Sequence, residues 1–288
     1  MPGLPRLSIV GSSVGRSAFQ AGDIVIQREL ASCVLHVCLA AIVSLCVADT
    51  GWAQSRETAA EGQGPGAQRP RTRVDPDTGL PPGMPDFRGV WTNRWIVNMA
   101  DGRYVEKTVA VPFTEKGRAI YAERTDNLQK DDPNLRCWPS GLPRQGGTPY
   151  PLKIMQTPDE FVILYEGGMH TFRIIPTDGR PHKEDPWLWY GDSVGRWEGD
   201  TLVVDTIGFN AKSWLDSSGY PHGEKLHLVE RFHKTDAQTL RYEVTIEDPE
   251  YYTRPWTTAW TYRFSPKTEM MEYFCTENER DRERMVGK

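Results

Sequence analysis

The chain has 288 residues, with 34 Lys and Arg against 39 Asp and Glu, a formal net charge of −5 and a mean hydropathy of −0.56. The charge is mixed and slightly acidic with no basic stripe, which argues against a nucleic-acid-binding surface.

Residues 30–47, LASCVLHVCLAAIVSLCV, form a mostly apolar run. Arg28 precedes it, and small residues follow up to Ala53. This predicts a secretory signal peptide cleaved after Ala53, with residues 1–53 as extension and signal. The alternative is an uncleaved membrane anchor, since the run approaches the roughly 18 residues that span a bilayer. Residues 54–85, rich in Gly, Pro, Gln, Arg and Glu, predict a flexible linker. A single domain is expected over residues 86–279, followed by a polar tail at 280–288. The protein is expected to be exported, periplasmic or extracellular. Cys33, Cys38 and Cys46 fall in the signal segment, which leaves Cys137 and Cys275 in the mature chain. An oxidising compartment favours a disulfide between them over two free thiols. Neither has a second ligand at metal spacing.

Helix signals are few. Thr114 is placed to cap a helix running to about Asn127. The rest reads as strands. Gly89, Val90 and Trp91 open the first, and the Gly-x-Trp resembles the start of lipocalin-type barrels. Residues 160–166 and 171–176 flank a turn at Gly167 and Gly168. Residues 196–197 and 201–207 flank the turn Glu198, Gly199, Asp200. Residues 227–234 pair with 239–247, and 257–264 with 270–276. Such a meander with one main helix predicts an all-β, mainly antiparallel, lipocalin-like barrel with long mouth loops.

Strand alternation nominates the inward polar residues. Glu230 shares a row with Leu226, Leu228 and Phe232. Asp205 is read with Val203 and Ile207, and His170 with Phe172 and Ile174. A pocket offering Glu166, His170, Asp205 and Glu230 suits acid–base chemistry, because burial raises carboxylate pKa values and lowers that of histidine. His170 is the expected proton shuttle, with Glu230 and Asp205 as catalytic carboxylates. Arg173, Asp192, Arg196, Trp197, Trp214, His222 and Trp256 are the expected substrate-binding residues, since arginines steady anions and aromatic rings line pockets. The alternative for the buried charges is a structural ion pair, Glu230 with Arg173 or Arg196. Loop 209–224 holds Trp214 and His222, and loop 178–189 holds His182, both as possible caps on a binding site.

No nucleophile elbow, HExxH, P-loop or dinucleotide fingerprint is present, so no cofactor and no metal is expected. The segments CWPSGLPR at 137–144, DGRPH at 178–182, GDSVGRWEGDTLVVDT at 191–206 and ERF at 230–232 resemble a family of exported bacterial proteins without an assigned activity. The resemblance implies an exported, largely β domain and transfers no catalytic residue. The expected function is a cofactor-independent lyase or isomerase acting on a hydrophobic or aromatic small molecule inside the barrel. The alternatives are an exported carrier of such a ligand and an envelope interaction module. Neither nucleic acid nor membrane is expected as a partner of the mature form.

Overall fold

The computed structural model describes residues 73–276. The signal segment, its cleavage site, the linker up to residue 72 and the tail at 280–288 lie outside the described residues. Folded structure begins before Asp86: Leu80 is buried, behind a turn in which Gly79 N–H donates to Asp75 O at 2.7 Å.

Nine strands are present among the described residues: β1 Gly89–Thr92, β2 Leu152–Gln156, β3 Glu160–Tyr165, β4 Phe172–Pro176, β5 Asp192–Glu198, β6 Thr201–Ile207, β7 His227–Asp236, β8 Thr239–Glu247 and β9 Trp256–Phe264. They form one antiparallel sheet in the order β4-β3-β2-β1-β9-β8-β7-β6-β5. The end strands β4 and β5 lie against each other without a ladder, so the sheet is a nearly closed, lipocalin-like barrel. Close approach at this seam depends on Gly195. A Cβ there would lie 2.9 Å from Ile175 Cγ2 and 3.0 Å from Thr177 Cγ2.

Alternation fills the barrel. β3 sends Phe161, Ile163 and Tyr165 inward, β7 sends Leu228, Glu230 and Phe232, and β8 sends Leu240, Tyr242, Val244 and Ile246. Trp91, Trp260 and Tyr262 complete a core of interlocked rings, with Tyr242 4.5 Å from Trp260 between centroids. Removing a buried ring of this size typically costs about 3–5 kcal/mol. The polar inward residue of β2, Gln156, is satisfied. Its Oε1 accepts from Phe87 N at 3.0 Å and its Nε2 donates to Pro85 O at 3.0 Å, which fixes the chain's entry into β1.

Helix α1, Glu115–Asp126, is capped by Thr114, whose Oγ1 accepts from Gly117 N at 3.0 Å. Tyr121 on α1 stacks on Tyr220 at 4.7 Å, and Phe113 lies between Tyr121 and Tyr252. α1 therefore holds loop 209–224 against the barrel. That loop is no loose cap on a mouth. Trp214, Leu215, Asp216, Tyr220 and His222 are all buried, and Asp216 organises the turn by accepting from Met99, Ser218 and Gly219 backbone N–H groups.

Two expected elements differ. Residues 270–276 form no strand, because β8 and β1 already occupy both edges of β9. Gly167–His170 is a helical turn, which takes His170 off the strand that would have aligned it with Phe172 and Ile174.

Candidate functional site

The inward charges of the barrel meet one another. The Arg173 guanidinium forks onto Glu230, with Nη1 donating to Oε1 at 2.9 Å and Nη2 to Oε2. Arg173 Nε donates to Ser193 Oγ at 3.0 Å and Nη2 to Thr206 Oγ1 at 2.8 Å. Tyr242 O–H donates to Glu230 Oε1 at 2.8 Å. This network crosses the β4–β5 seam and replaces the missing ladder with side-chain bonds. Burial works against the Arg173 charge, but the adjacent Glu230 carboxylate outweighs it and holds the guanidinium protonated. The side chains are 3% and 1% exposed, with their polar atoms engaged. Glu230 and Arg173 thus form the ion pair weighed for them, and no substrate reaches either. A row with Phe172 and Ile174 facing inward would turn Arg173 outward. In the structure Arg173 and Ile175 face inward while Phe172 and Ile174 are exposed. Glu166, also read as inward, instead holds the C-terminal segment by accepting from Met271 N at 2.8 Å.

Asp205 faces outward, against expectation. It stands opposite Val194 and Val229 on the outer face, while Leu202, Val204 and Thr206 point into the barrel. The row misleads because Leu202, Val203 and Val204 are consecutive apolar residues, all buried, so no alternation distinguishes the faces. On that outer face Asp205 joins two histidines. His182 Nε2 lies 2.9 Å from Asp205 Oδ1, and His227 Nε2 lies 2.8 Å from Asp205 Oδ2. His182 Nδ1 is 3.0 Å from Asp192 Oδ2, and His227 Nδ1 is 3.4 Å from Glu247 Oε2. The result is a continuous chain, Asp192–His182–Asp205–His227–Glu247. Burial raises Asp205, but the bonds from His227 and His182 outweigh it and bring the carboxyl below its usual range. Burial likewise raises Asp192, and the Lys183 N–H, Arg180 and His182 together lower it overall. Burial lowers His227, yet the bond to Asp205 raises it above the ordinary histidine value. Every ring nitrogen of the chain faces a carboxylate. The longest link, to Glu247, is also the most solvent-exposed.

The remaining nominated residues scatter. Arg196 is exposed and pairs with Glu198 at 2.8 Å. Trp197 packs on Phe87 at 5.7 Å. The Arg124 guanidinium lies 4.5 Å above the buried Trp214 ring. Trp256 is core, between Tyr220 and Tyr252. His222 is buried, its pKa pushed down to about 4 by desolvation. The neutral ring donates from Nδ1 to Gly223 O at 3.1 Å and accepts at Nε2 from Ser213 Oγ at 3.0 Å. The side chain of His170 lies outside the described residues.

A site that the alternation did not nominate lies beside the disulfide Cys137–Cys275, whose Cα atoms are 5.6 Å apart. A cavity of about 450 Å³ opens there, walled by Trp95, Trp138, Tyr150 and Tyr273. Its polar end is Arg144, held by a bidentate pair with Asp132 at 2.8 and 2.7 Å. Both are more than nine-tenths buried, yet Arg144 Nε has no hydrogen-bond partner. Asn134 Oδ1, on the same lining, is also buried and unpaired. Unmade bonds of this kind are costly, so each of these atoms calls for a partner. The backbone of Gly168, in the turn that ends at His170, borders the same cavity. The segment CWPSGLPR supplies one side of it. Trp95 and Tyr150 add to the wall from either side of it in the chain, and Tyr273 comes from more than a hundred positions later, beside Cys275 of the disulfide.

The chain matches no protein-family model, no curated protein and no solved structure. Among the described residues no group of three or more His, Cys, Asp or Glu is placed to hold a metal ion. No helix among them is long and apolar enough to cross a membrane.

Proposed function

We propose that this protein is an exported carrier that binds a flat aromatic small molecule in the cavity beside Cys137–Cys275. The observation that carries the reading is the buried Arg144 Nε without a partner at the end of an aromatic-walled cavity. Trp138 and Tyr150 supply faces for a ring, while Arg144 offers one N–H and Asn134 one carbonyl oxygen. A ligand with a hydroxyl on its edge, accepting from Arg144 and donating to Asn134, satisfies both. Because Asp132 already balances the arginine charge, the site asks for a hydrogen-bond acceptor more than for a full anion. The disulfide is consistent with an oxidising compartment and hence with export.

A second reading, the acid–base lyase or isomerase, rests on the chain from Asp192 to Glu247. Asp205 and Glu247 favour the charged form of His227 there, and its partly solvated Nδ1 has only a long bond to surrender. One experiment separates the two. The purified protein is incubated with a mixture of aromatic metabolites, and bound and free pools are compared by mass spectrometry. A carrier returns a compound enriched on the protein with its mass unchanged, and Arg144→Gln lowers its affinity roughly tenfold, the effect of one buried hydrogen bond. Consumption of a compound with a new product mass, abolished by His227→Gln or His170→Gln, sinks the carrier reading in favour of the enzyme. No compound bound or altered removes both.

A further inference from the structure

A second concavity, of about 730 Å³, lies outside the barrel over the β4–β5 seam. It is separate from the disulfide-side cavity, and the edge-on rings of Trp138 and Trp189 belong one to each. Arg173 and Ser193 border its floor, with the Arg173 side chain turned away into the barrel. Its walls are apolar side chains that a lone barrel has no reason to expose: Phe172 is 62% exposed, Ile174 47% and Leu188 43%. A contiguous patch of this kind marks a binding surface.

Charge singles out the occupant. Three cations line the groove, Arg173, Arg180 and Lys183, against a single acid, Asp192. Arg173 is neutralised by Glu230 beneath the floor. Asp192 is 3% exposed and both its oxygens are engaged, by Arg180 at 3.2 Å and by His182 and Lys183 N at 3.0 Å. One positive charge is left over, and it resides with Lys183, whose ammonium stands 3.9 Å from Asp192 on a 66% exposed side chain. A cation at the rim of an exposed apolar trough is complementary to an anionic head on a hydrocarbon chain.

The seam also argues against a peptide strand as occupant. Arg173 bonds directly to Ser193 across it, and Gly195 admits Ile175 to van der Waals contact. The free edges of β4 and β5 are therefore occupied by each other's side chains, with no width for a further strand between them.

We propose that this groove captures a single anionic amphiphile of the alkyl-carboxylate class, its head at Lys183 and Arg180 and its chain along Phe172, Ile174 and Leu188. The site uses different walls from the aromatic cavity and stands or falls independently of it.

The test is calorimetric titration of the full protein with decanoate, below its micellar concentration, beside neutral 1-decanol. Decanoate is expected to bind with one-to-one stoichiometry, more tightly than decanol, and more weakly as salt is added. Lys183→Glu should weaken it roughly tenfold, and Ile174→Asp by at least as much through lost apolar contact. Both substitutions are at exposed positions, and unchanged thermal midpoints will show that the fold is intact. Arg144→Gln should leave decanoate binding untouched. Equal affinity for decanol and decanoate, indifference to Ile174→Asp, or no heat at millimolar decanoate each overturns the proposal. Loss of binding in Arg144→Gln alone would place the alkyl ligand in the aromatic cavity and also overturns it, while leaving that cavity's own reading in place. Co-sedimentation with phosphatidylglycerol vesicles, with no binding of free decanoate, would assign the patch to a membrane surface instead.

Discussion

The two charged assemblies of this barrel use the same ingredients on opposite faces of the same strands. Inside, the carboxylate of Glu230 on β7 accepts from Arg173, Thr206 and Tyr242 and is 1% exposed. Outside, Asp205 on β6 meets His182 and His227 with solvent at hand. The inner pair bridges the seam between β4 and β5 and is sealed from solvent. In the outer chain the half-buried His227 is raised above the ordinary histidine value by its carboxylate partners. Solvent access, more than residue type, separates a charge that holds a fold from one that is free to respond.

The largest expected effect breaks the inner pair. Glu230→Ala leaves the Arg173 guanidinium buried without its counter-charge, and a loss of about 3–5 kcal/mol is expected in urea unfolding. The double variant Arg173→Met with Glu230→Leu should recover most of that loss, because it removes both buried charges together. If the single variant is as stable as the parent, the seam is not held by this pair and the comparison with the outer chain collapses.

The second effect separates buried from half-buried histidine by the sign of its pH dependence. His222 has a folded pKa near 4, below its unfolded value near 6.5. Its contribution is fully present above about pH 6.5 and is lost as pH falls towards 4, by up to about 3 kcal/mol from the linkage of roughly 1.4 kcal/mol per pKa unit. His227 has a folded pKa raised above 6.5, so its contribution is present below that value and is lost as pH rises through the folded pKa. Unfolding free energies of the parent and of His222→Gln should therefore converge as pH falls from 7 to 4. Those of the parent and His227→Gln should converge as pH rises from 6 to 9. A parallel offset at all pH values in either series would mean that the histidine is not coupled to folding as its surroundings indicate.

Asp205→Asn removes the shared acceptor of both imidazoles, and a smaller loss of about 1–2 kcal/mol is expected near pH 6, since the site is partly solvated. The loss should shrink at pH 9, where uncharged rings gain less from a carboxylate. A loss that is independent of pH would place Asp205 among the structural charges with Glu230.

The strands that make this comparison possible were largely legible in the sequence. Leu226, Leu228, Glu230 and Phe232 alternate with the mostly polar His227, Val229, Arg231 and His233, and short polar turns separate β5 from β6 and β7 from β8. Thr114 announced α1, and two mature cysteines announced the disulfide. The inward face of β6 was not legible, because Leu202, Val203 and Val204 erase the period of two. Strand β2 passed unread although Leu152, Ile154 and Gln156 alternate inward, and residues 270–276 were read as a strand although no free edge remained to receive them. The aromatic cavity was hidden for a different reason. Trp95, Trp138, Tyr150 and Tyr273 come from irregular segments far apart in the chain, and only tertiary packing with the Cys137–Cys275 bond brings them to one wall.

The smallest expected effect concerns two arginines that the sequence placed on equal terms as anion-binding candidates. Arg173 and Arg196 lie on β4 and β5, the two strands that meet at the seam, and each pairs with a glutamate. Arg173 is sealed and bidentate to Glu230. Arg196 is exposed and shares Glu198 with Arg231, which reaches the same carboxylate at 2.8 Å. Removing Arg196 therefore leaves Glu198 still paired and still hydrated, with nothing buried and unsatisfied. Arg196→Ala is expected to leave the urea midpoint indistinguishable from that of the parent, and affinity for an aromatic ligand unchanged. A clear fall in either would show that charge on the outer face of β5 does more than dress a solvated strand, and would bring the outer surface of the hairpin into the binding site.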